Sequence, residues 1–204
     1  MRRTGLAGQG VLLAALGTLF AARAQAVDGG PEELRQRYAG EWRFSGDAAQ
    51  RAAVPAAVEH SVDGMFFIAR GIAYDRLIHV CEICSSYRVR FTPGEVEIQS
   101  PCQLPDKSPD DGREVDHVTR AGDASKLSQR FVAGMLVQEF RGEEGARRVV
   151  WRVEPASDSL SIQVTITSKH LPNPVEYTLS YRRAPTAAPA SPASGPRDGG
   201  PPGG

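Results

Sequence analysis

Leu160-Ser161-Ile162-Gln163-Val164-Thr165-Ile166-Thr167, the bend Leu171-Pro172-Asn173-Pro174, and Val175-Glu176-Tyr177-Thr178-Leu179-Ser180-Tyr181 together decide the fold of this chain. Apolar residues stand two apart in both runs, so a pleated backbone puts them on one buried face and leaves the serines, threonines, Gln163 and Glu176 to water. The stretch from Asp158 to Arg183 therefore reads as an antiparallel hairpin with one wet face. A second hairpin is written the same way: Tyr87, Val89 and Phe91 alternate with Arg88 and Arg90, Pro93-Gly94 turns the chain, and Val96 and Ile98 alternate with Glu95 and Glu97. Arginine and glutamate on the wet face make cross-strand pairs of opposite charge.

Working outward, Tyr38, Gly40, Trp42 and Phe44 share one parity, which starts the sheet at Tyr38 to Ser45 and points Trp42 inward. Asp47 is an N-cap with Gln50 three residues on, opening a short helix through Val54. Pro55 is expected to begin a second helix, because proline suits a first turn and not an interior. Val58, Val62, Met65, Ala69 and Ile72 recur at helical spacing there, while Phe66 to Tyr74 is also compatible with extended chain. Residues 101–113, rich in Pro, Asp and Gly, read as a loop. Short alternating runs follow near Val115 to Thr119, Leu127 to Val132, Leu136 to Arg141 and Arg148 to Val153, for about nine strands in all. One-faced strands in a meander must sandwich or close, and closure removes the edges, so the expectation is a mainly β, antiparallel up-and-down β-barrel with a helical insertion after its first strand. In it the first strand pairs with the last, bringing Arg183 to Trp42.

Gly40-Glu41-Trp42 on the first strand, the apolar-in meander and an arginine ending the last strand resemble the calycin superfamily, meaning lipocalins and fatty-acid-binding proteins. The helical pair after the first strand is similar to the lid of the fatty-acid-binding branch. The resemblance implies a cup for a small hydrophobic or amphipathic molecule, with Trp42 and Arg183 as the structural closed end. The candidate ligand-binding residues are Trp42, Met65, Phe91, Gln129, Glu139, Trp151, Tyr177 and Tyr181. Two features depart from the family pattern. No acidic turn of the T-D-Y type is present, and Arg183 lies beyond the tyrosine pair rather than in an interior R-x-Y clamp.

Residues 1–26 read as a secretory signal peptide: Arg2 and Arg3, an apolar stretch from Val11 to Phe20, and Ala24-Gln25-Ala26 as an A-x-A cleavage site. Export to periplasm or medium is therefore expected, and the stretch is too short for a stable membrane anchor. From Ala184 to Gly204 the composition is almost entirely Ala, Pro, Ser and Gly with only Arg197 and Asp198 charged, a tail expected to be disordered. One barrel domain over 27–183 remains. Three of the 24 basic residues lie in the leader, which leaves 21 against 24 acidic ones, a net of −3. A mildly acidic body argues against nucleic acid as a partner.

The chemical motifs are incomplete. Cys81-Glu82-Ile83-Cys84 has redox or metal spacing, yet Ser85 excludes haem attachment, and zinc would need more ligands than the distant Cys102 supplies. Cys84 and Cys102 flank the Pro93-Gly94 hairpin almost symmetrically, which favours a Cys84 to Cys102 disulfide over pairings with Cys81; Cys81 would then stay free or link a dimer. The histidines His60, His79, His117 and His170 fall in separate segments, and Asp106, Asp110 and Asp111 lack the spacing of a calcium loop. No cofactor, metal or catalytic residue is assigned, and the chain is expected to be a non-enzymatic binding barrel. A structural or protein-interaction barrel filled by Phe44, Phe91, Trp151 and Tyr181 is the rival. An enzyme would announce itself by His and acid side chains gathered in one cavity.

Overall fold

In the computed structural model, residues 30–120, 122–154 and 156–185 are described; the leader and the tail from residue 186 onward lie outside them. Helix α1, Pro31–Tyr38, is followed by β1 (Gly40–Phe44), α2 (Ala48–Ser61), α3 (Phe67–Val80), β2 (Ser86–Thr92), β3 (Glu95–Gln99), β4 (Asp106–Pro109) and β5 (Val115–Val118). Then come β6 (Ala124–Val132), β7 (Met135–Arg141), β8 (Gly145–Glu154), β9 (Ser159–Ser168) and β10 (Val175–Arg183). The ten strands form one antiparallel sheet in the order β4-β3-β2-β1-β10-β9-β8-β7-β6-β5, curled into a nearly closed barrel with two helices between β1 and β2.

The deciding hairpin is β9 and β10, with Leu160 opposite Tyr181, Ile162 opposite Leu179 and Val164 opposite Tyr177, all facing inward. The second is β2 and β3, with Arg90 opposite Glu97 on the wet side and Gly94 at φ +77° in its turn. First and last strands pair as expected, Trp42 opposite Arg183.

Trp42 is fully buried, and the Arg183 guanidinium lies 4.3 Å from its ring centroid. Arg183 donates from Nη1 to the Ala39 carbonyl and from Nη2 to the Arg37 carbonyl, both at 2.6 Å, which satisfies acceptors left over at the end of α1. The Trp42 indole N–H donates to the Tyr38 carbonyl at 2.9 Å. One end of the barrel is thereby plugged. Tyr38, Trp42, Trp151 and Tyr181 fill the space behind the plug, and the Tyr38 hydroxyl reaches the carbonyls of Gly134 and Trp151, each at 2.9 Å.

Several expectations need correcting. Tyr38 ends a helix instead of starting the sheet, because Pro31 at the first turn, Glu32 and Glu33 near the N-terminus and Arg35 and Arg37 near the C-terminus suit a short helix. Pro55 does not begin a helix; it lies inside the continuous α2. An interior proline loses one backbone bond, at a cost of about 3 kcal/mol. The capped start, where Gln50 N–H donates to Asp47 Oδ1 at 2.9 Å, and the buried Val54 and Val58 on either side of Pro55 offset it. Phe67 to Tyr74 is helical, with Phe66 as the N-cap residue and Gly64 at φ +82° having turned the chain before α3. The stretch 101–113 contains β4, so the strand count rises from nine to ten.

Cys84 and Cys102 form the disulfide, with Cα atoms 5.6 Å apart, tying the chain before β2 to the chain after β3. Cys81 is free but only 1% exposed, and its thiol lies beside the Tyr177 hydroxyl. A dimer through Cys81 is thus overturned, since the sulfur is in the core.

Candidate functional site

At the end away from Trp42 the barrel opens into a cavity of about 620 Å³. Its rim is His79 and Val80 at the end of α3, Gln103 and Leu104 ahead of β4, and Val118 and Thr119 at the β5 to β6 turn. Its floor is Asp106, His117, Ser125, Phe140, Arg147 and Ile166. These face inward by register: His117 opposes Ser125, Phe140 opposes Arg147, and Arg147 opposes Ile166.

Arg147 is the only inward arginine on β8, because Arg148 and Arg152 take the other parity and are exposed. Its guanidinium lies 5.7 Å from the Phe140 ring centroid, and its Nε is buried with no hydrogen-bond partner. A buried cationic N–H without an acceptor costs free energy until an acceptor arrives. Its positive charge acts on Tyr87, Tyr177, Tyr181 and Cys81, yet burial dominates and pushes all four groups above their ordinary values. Those residues are proton donors throughout the physiological range. Tyr181 uses its hydroxyl to donate to the Cys84 carbonyl at 3.1 Å.

The second polar feature lies where the barrel fails to close. β4 and β5 are the two edges of the sheet and do not pair with each other. Side chains bridge the seam instead. His117 Nε2 on β5 is 3.0 Å from Asp106 Oδ1 on β4, and Gln138 Nε2 on β7 donates to Asp106 Oδ2 at 2.9 Å. Gln129 Nε2 on β6 reaches the Asp106 carbonyl at 3.4 Å, while its Oε1 is buried without a partner. Ser125 Oγ on β6 stands 3.1 Å from His117 Nδ1. Asp106 and His117 are nearly buried, with side chains 7% and 11% exposed. Asp106 belongs to the segment read as a solvated loop, and His117 is one of the four histidines given no role. The topology gathers what the sequence keeps 11 to 32 positions apart.

The residues named from sequence are placed elsewhere. Trp42, Trp151, Tyr177 and Tyr181 are packed in the core, and the indole N–H of Trp151 has no partner. Phe91 stacks on Phe131 at 6.0 Å. Gln129 faces inward at the seam. Met65 sits between α2 and α3, half-buried. Glu139 is turned outward, against the inward expectation. It opposes Arg148 and forms ion pairs with Arg130, Arg141 and Arg148 on the wet face, because its neighbours Gln138 and Phe140 hold the inward parity. None of these eight lines the mouth cavity. Period-two alternation from the inward Trp151 would have placed Arg147 inside had β8 been started one residue earlier.

No protein-family model and no curated protein matches the chain. Solved structures do. A Schistosoma mansoni fatty acid binding protein in complex with arachidonic acid is 15% identical over 74% of this chain and 98% of its own, with a TM-score of 0.45. Apo Caenorhabditis elegans lipid binding protein 8 is 9% identical over 73% and 96%, at 0.46. Echinococcus granulosus fatty-acid-binding protein 1 is 12% identical over 72% and 98%, at 0.44. Identities of this order speak to fold alone. The chain's own architecture is an antiparallel up-and-down barrel. That statement rests on the strand order, the helical pair between β1 and β2, and the Trp42 to Arg183 plug.

Proposed function

We propose that this chain is an exported carrier whose barrel mouth takes one small amphipathic molecule, its apolar body along Leu104, Val118, Phe140 and Ile166 and an acidic group at Arg147. The observation that carries the reading is Arg147 itself, a half-buried cation that lines a cavity large enough for a ligand and whose buried Nε lacks an acceptor. Ligand sites are commonly apolar cavities of about 300 to 1,000 Å³ with a few polar groups that orient the occupant. A guanidinium is suited to a carboxylate because its N–H groups match the two oxygens. The lid of α2 and α3 leaves the cavity reachable past His79 and Val80.

A filled, structural barrel is the second reading. It is favoured by the half of the interior around Tyr38, Trp42, Trp151 and Tyr181, where large side chains occupy the space themselves. The carrier reading therefore confines the ligand to the mouth. Its test is native mass spectrometry of the purified protein against its denatured mass, joined to titration with a fluorescent C12 fatty acid. An extra small-molecule mass, or saturable binding that R147M weakens at least tenfold, supports the carrier. Bare protein with no binding turns the assignment to the filled barrel, and equal affinity in R147M overturns Arg147 as the anchor of the acidic group.

A further inference from the structure

At the seam between β4 and β5 a serine, a histidine and an aspartate stand in one hydrogen-bonded line, and the line borders the mouth cavity. An ionised Asp106 can only accept hydrogen bonds, so the His117 nitrogen facing it, Nε2 at 3.0 Å, carries the imidazole proton. In neutral His117, Nδ1 is then the acceptor, and it lies 3.1 Å from Ser125 Oγ, whose O–H donates to it. Asp106 is held by Gln138 at 2.9 Å, which leaves its other oxygen for the histidine. All three residues of the line border the cavity. His117 also meets the Phe140 ring, centroids 5.1 Å apart, and the Arg147 guanidinium lies over that same ring. The half-buried cation that lines the cavity is thus on the same aromatic support as His117.

We propose that Ser125, His117 and Asp106 form a catalytic set that hydrolyses a small carboxylic ester at the barrel mouth. Ser125 Oγ bonds to the ester carbonyl carbon as its proton passes to His117 Nδ1, and Asp106 stabilises the imidazolium that results. The carbonyl oxygen becomes negative, and Arg147 supplies the positive charge for it. Collapse breaks the bond to the leaving alcohol, which takes the proton from Nδ1. Water, deprotonated by the same nitrogen, then cleaves the acyl–Ser125 ester, releasing the carboxylic acid and restoring the hydroxyl. Ser125 and His117 touch the reacting atoms; Asp106 acts through His117 as a positioning residue. The line of Ser125, His117 and Asp106 rests on its own distances and shares only Arg147 with the carrier reading. Failure of acid binding with a reactive Ser125 would remove only the carrier, and the reverse result only the hydrolase.

The experiment uses the full chain with a fluorophosphonate probe, followed by peptide mass mapping, and with p-nitrophenyl butyrate as substrate. The expected result is one adduct, on Ser125, with ester hydrolysis that S125A and H117Q each lower by about 100-fold or more. D106N should lower kcat more than KM and move the acid limb of the pH–rate profile to lower pH, an effect that looser packing alone does not produce. Labelling of the unaltered protein needs no variant to fold. No adduct on Ser125 overturns the proposal, as does hydrolysis by S125A at the parent rate or an acid limb that D106N leaves in place.

Discussion

Removing Arg183 should loosen the closed end by an amount that its contacts set. In R183A the carbonyls of Arg37 and Ala39 lose charged donors at 2.6 Å, and the Trp42 ring loses the cation at 4.3 Å. Hydrogen bonds to a charged group contribute roughly 1.5 kcal/mol or more each, and a partly exposed cation over an indole about 1 kcal/mol. The ion pair to Asp158 adds little, because Asp158 is 76% exposed. The expected loss is about 4 kcal/mol, summed from those contributions. Lysine keeps the charge but not the fork that reaches two carbonyls, so R183K should lose about half as much. Urea unfolding followed by tryptophan fluorescence is the assay. With a slope of about 2 kcal/mol/M, the midpoint of R183A should fall by roughly 2 M. A fall below about 0.5 M, or R183K as weak as R183A, would refute the view that this guanidinium plugs the barrel by bridging α1 to Trp42.

Trp42→Ala should cost about 3 to 5 kcal/mol by the same assay, since the ring is fully buried, and unchanged melting would contradict its place in the core. Reducing the Cys84 to Cys102 disulfide, which spans 18 positions, should cost roughly 3 kcal/mol through the entropy it withholds from the unfolded chain, read as a lower urea midpoint in C84S/C102S. Burial pushes the Cys81 thiol and the Tyr177 and Tyr181 hydroxyls up, so the folded state keeps protons that the unfolded chain releases. Stability should be level below about pH 8 and fall as pH climbs through the ordinary thiol and phenol ranges, and C81A should abolish the earliest part of that fall. Unfolding midpoints measured from pH 7 to 11 check this, a flat profile being the contrary result. Gly40 has φ +120°, and a Cβ there would stand 3.0 Å from Arg183 Nη1. G40A should therefore lose at least about 1 kcal/mol, and a neutral outcome in thermal melts would exclude strain at this turn.

The barrel was legible because alternation of period two survives wherever one face is buried and the other wet. Leu160 to Ile166 and Val175 to Tyr181 show it without interruption, and the Trp42 to Arg183 contact followed from parity plus closure. What escaped was governed by other physics. Lys107 and Pro109 make β4 look like loop, since an edge strand of four residues has too few positions to display a period. Pro55 misled because propensity is local, while the burial of Val54 and Val58 is tertiary. Glu139 misled because a charged residue between Gln138 and Phe140 leaves the inward parity open until the partner strand sets the register.

The site was illegible for the same reason that it exists. A closed barrel satisfies its strands by backbone pairing, whereas β4 and β5 do not pair with each other and, beyond the single bridge of Asp111 to Arg130, the seam is spanned by polar, inward side chains. Asp106, His117 and Gln138 are the residues that alternation alone would score as errors, polar side chains on the apolar face. Local rules broken inside a core mark either strain or function. If the network were only a clasp, Asp106 bound by Gln138 and His117 would complete it, and Ser125 need not stand against the second imidazole nitrogen at the edge of a cavity. The clasp and the reactive line therefore share two residues and part at the third. Ser125→Ala should leave the seam intact and the melting temperature within about 2 °C, because a hydroxyl bordering a cavity contributes within about 0.5 kcal/mol. A large loss of stability in S125A would instead make the serine a structural member of the seam.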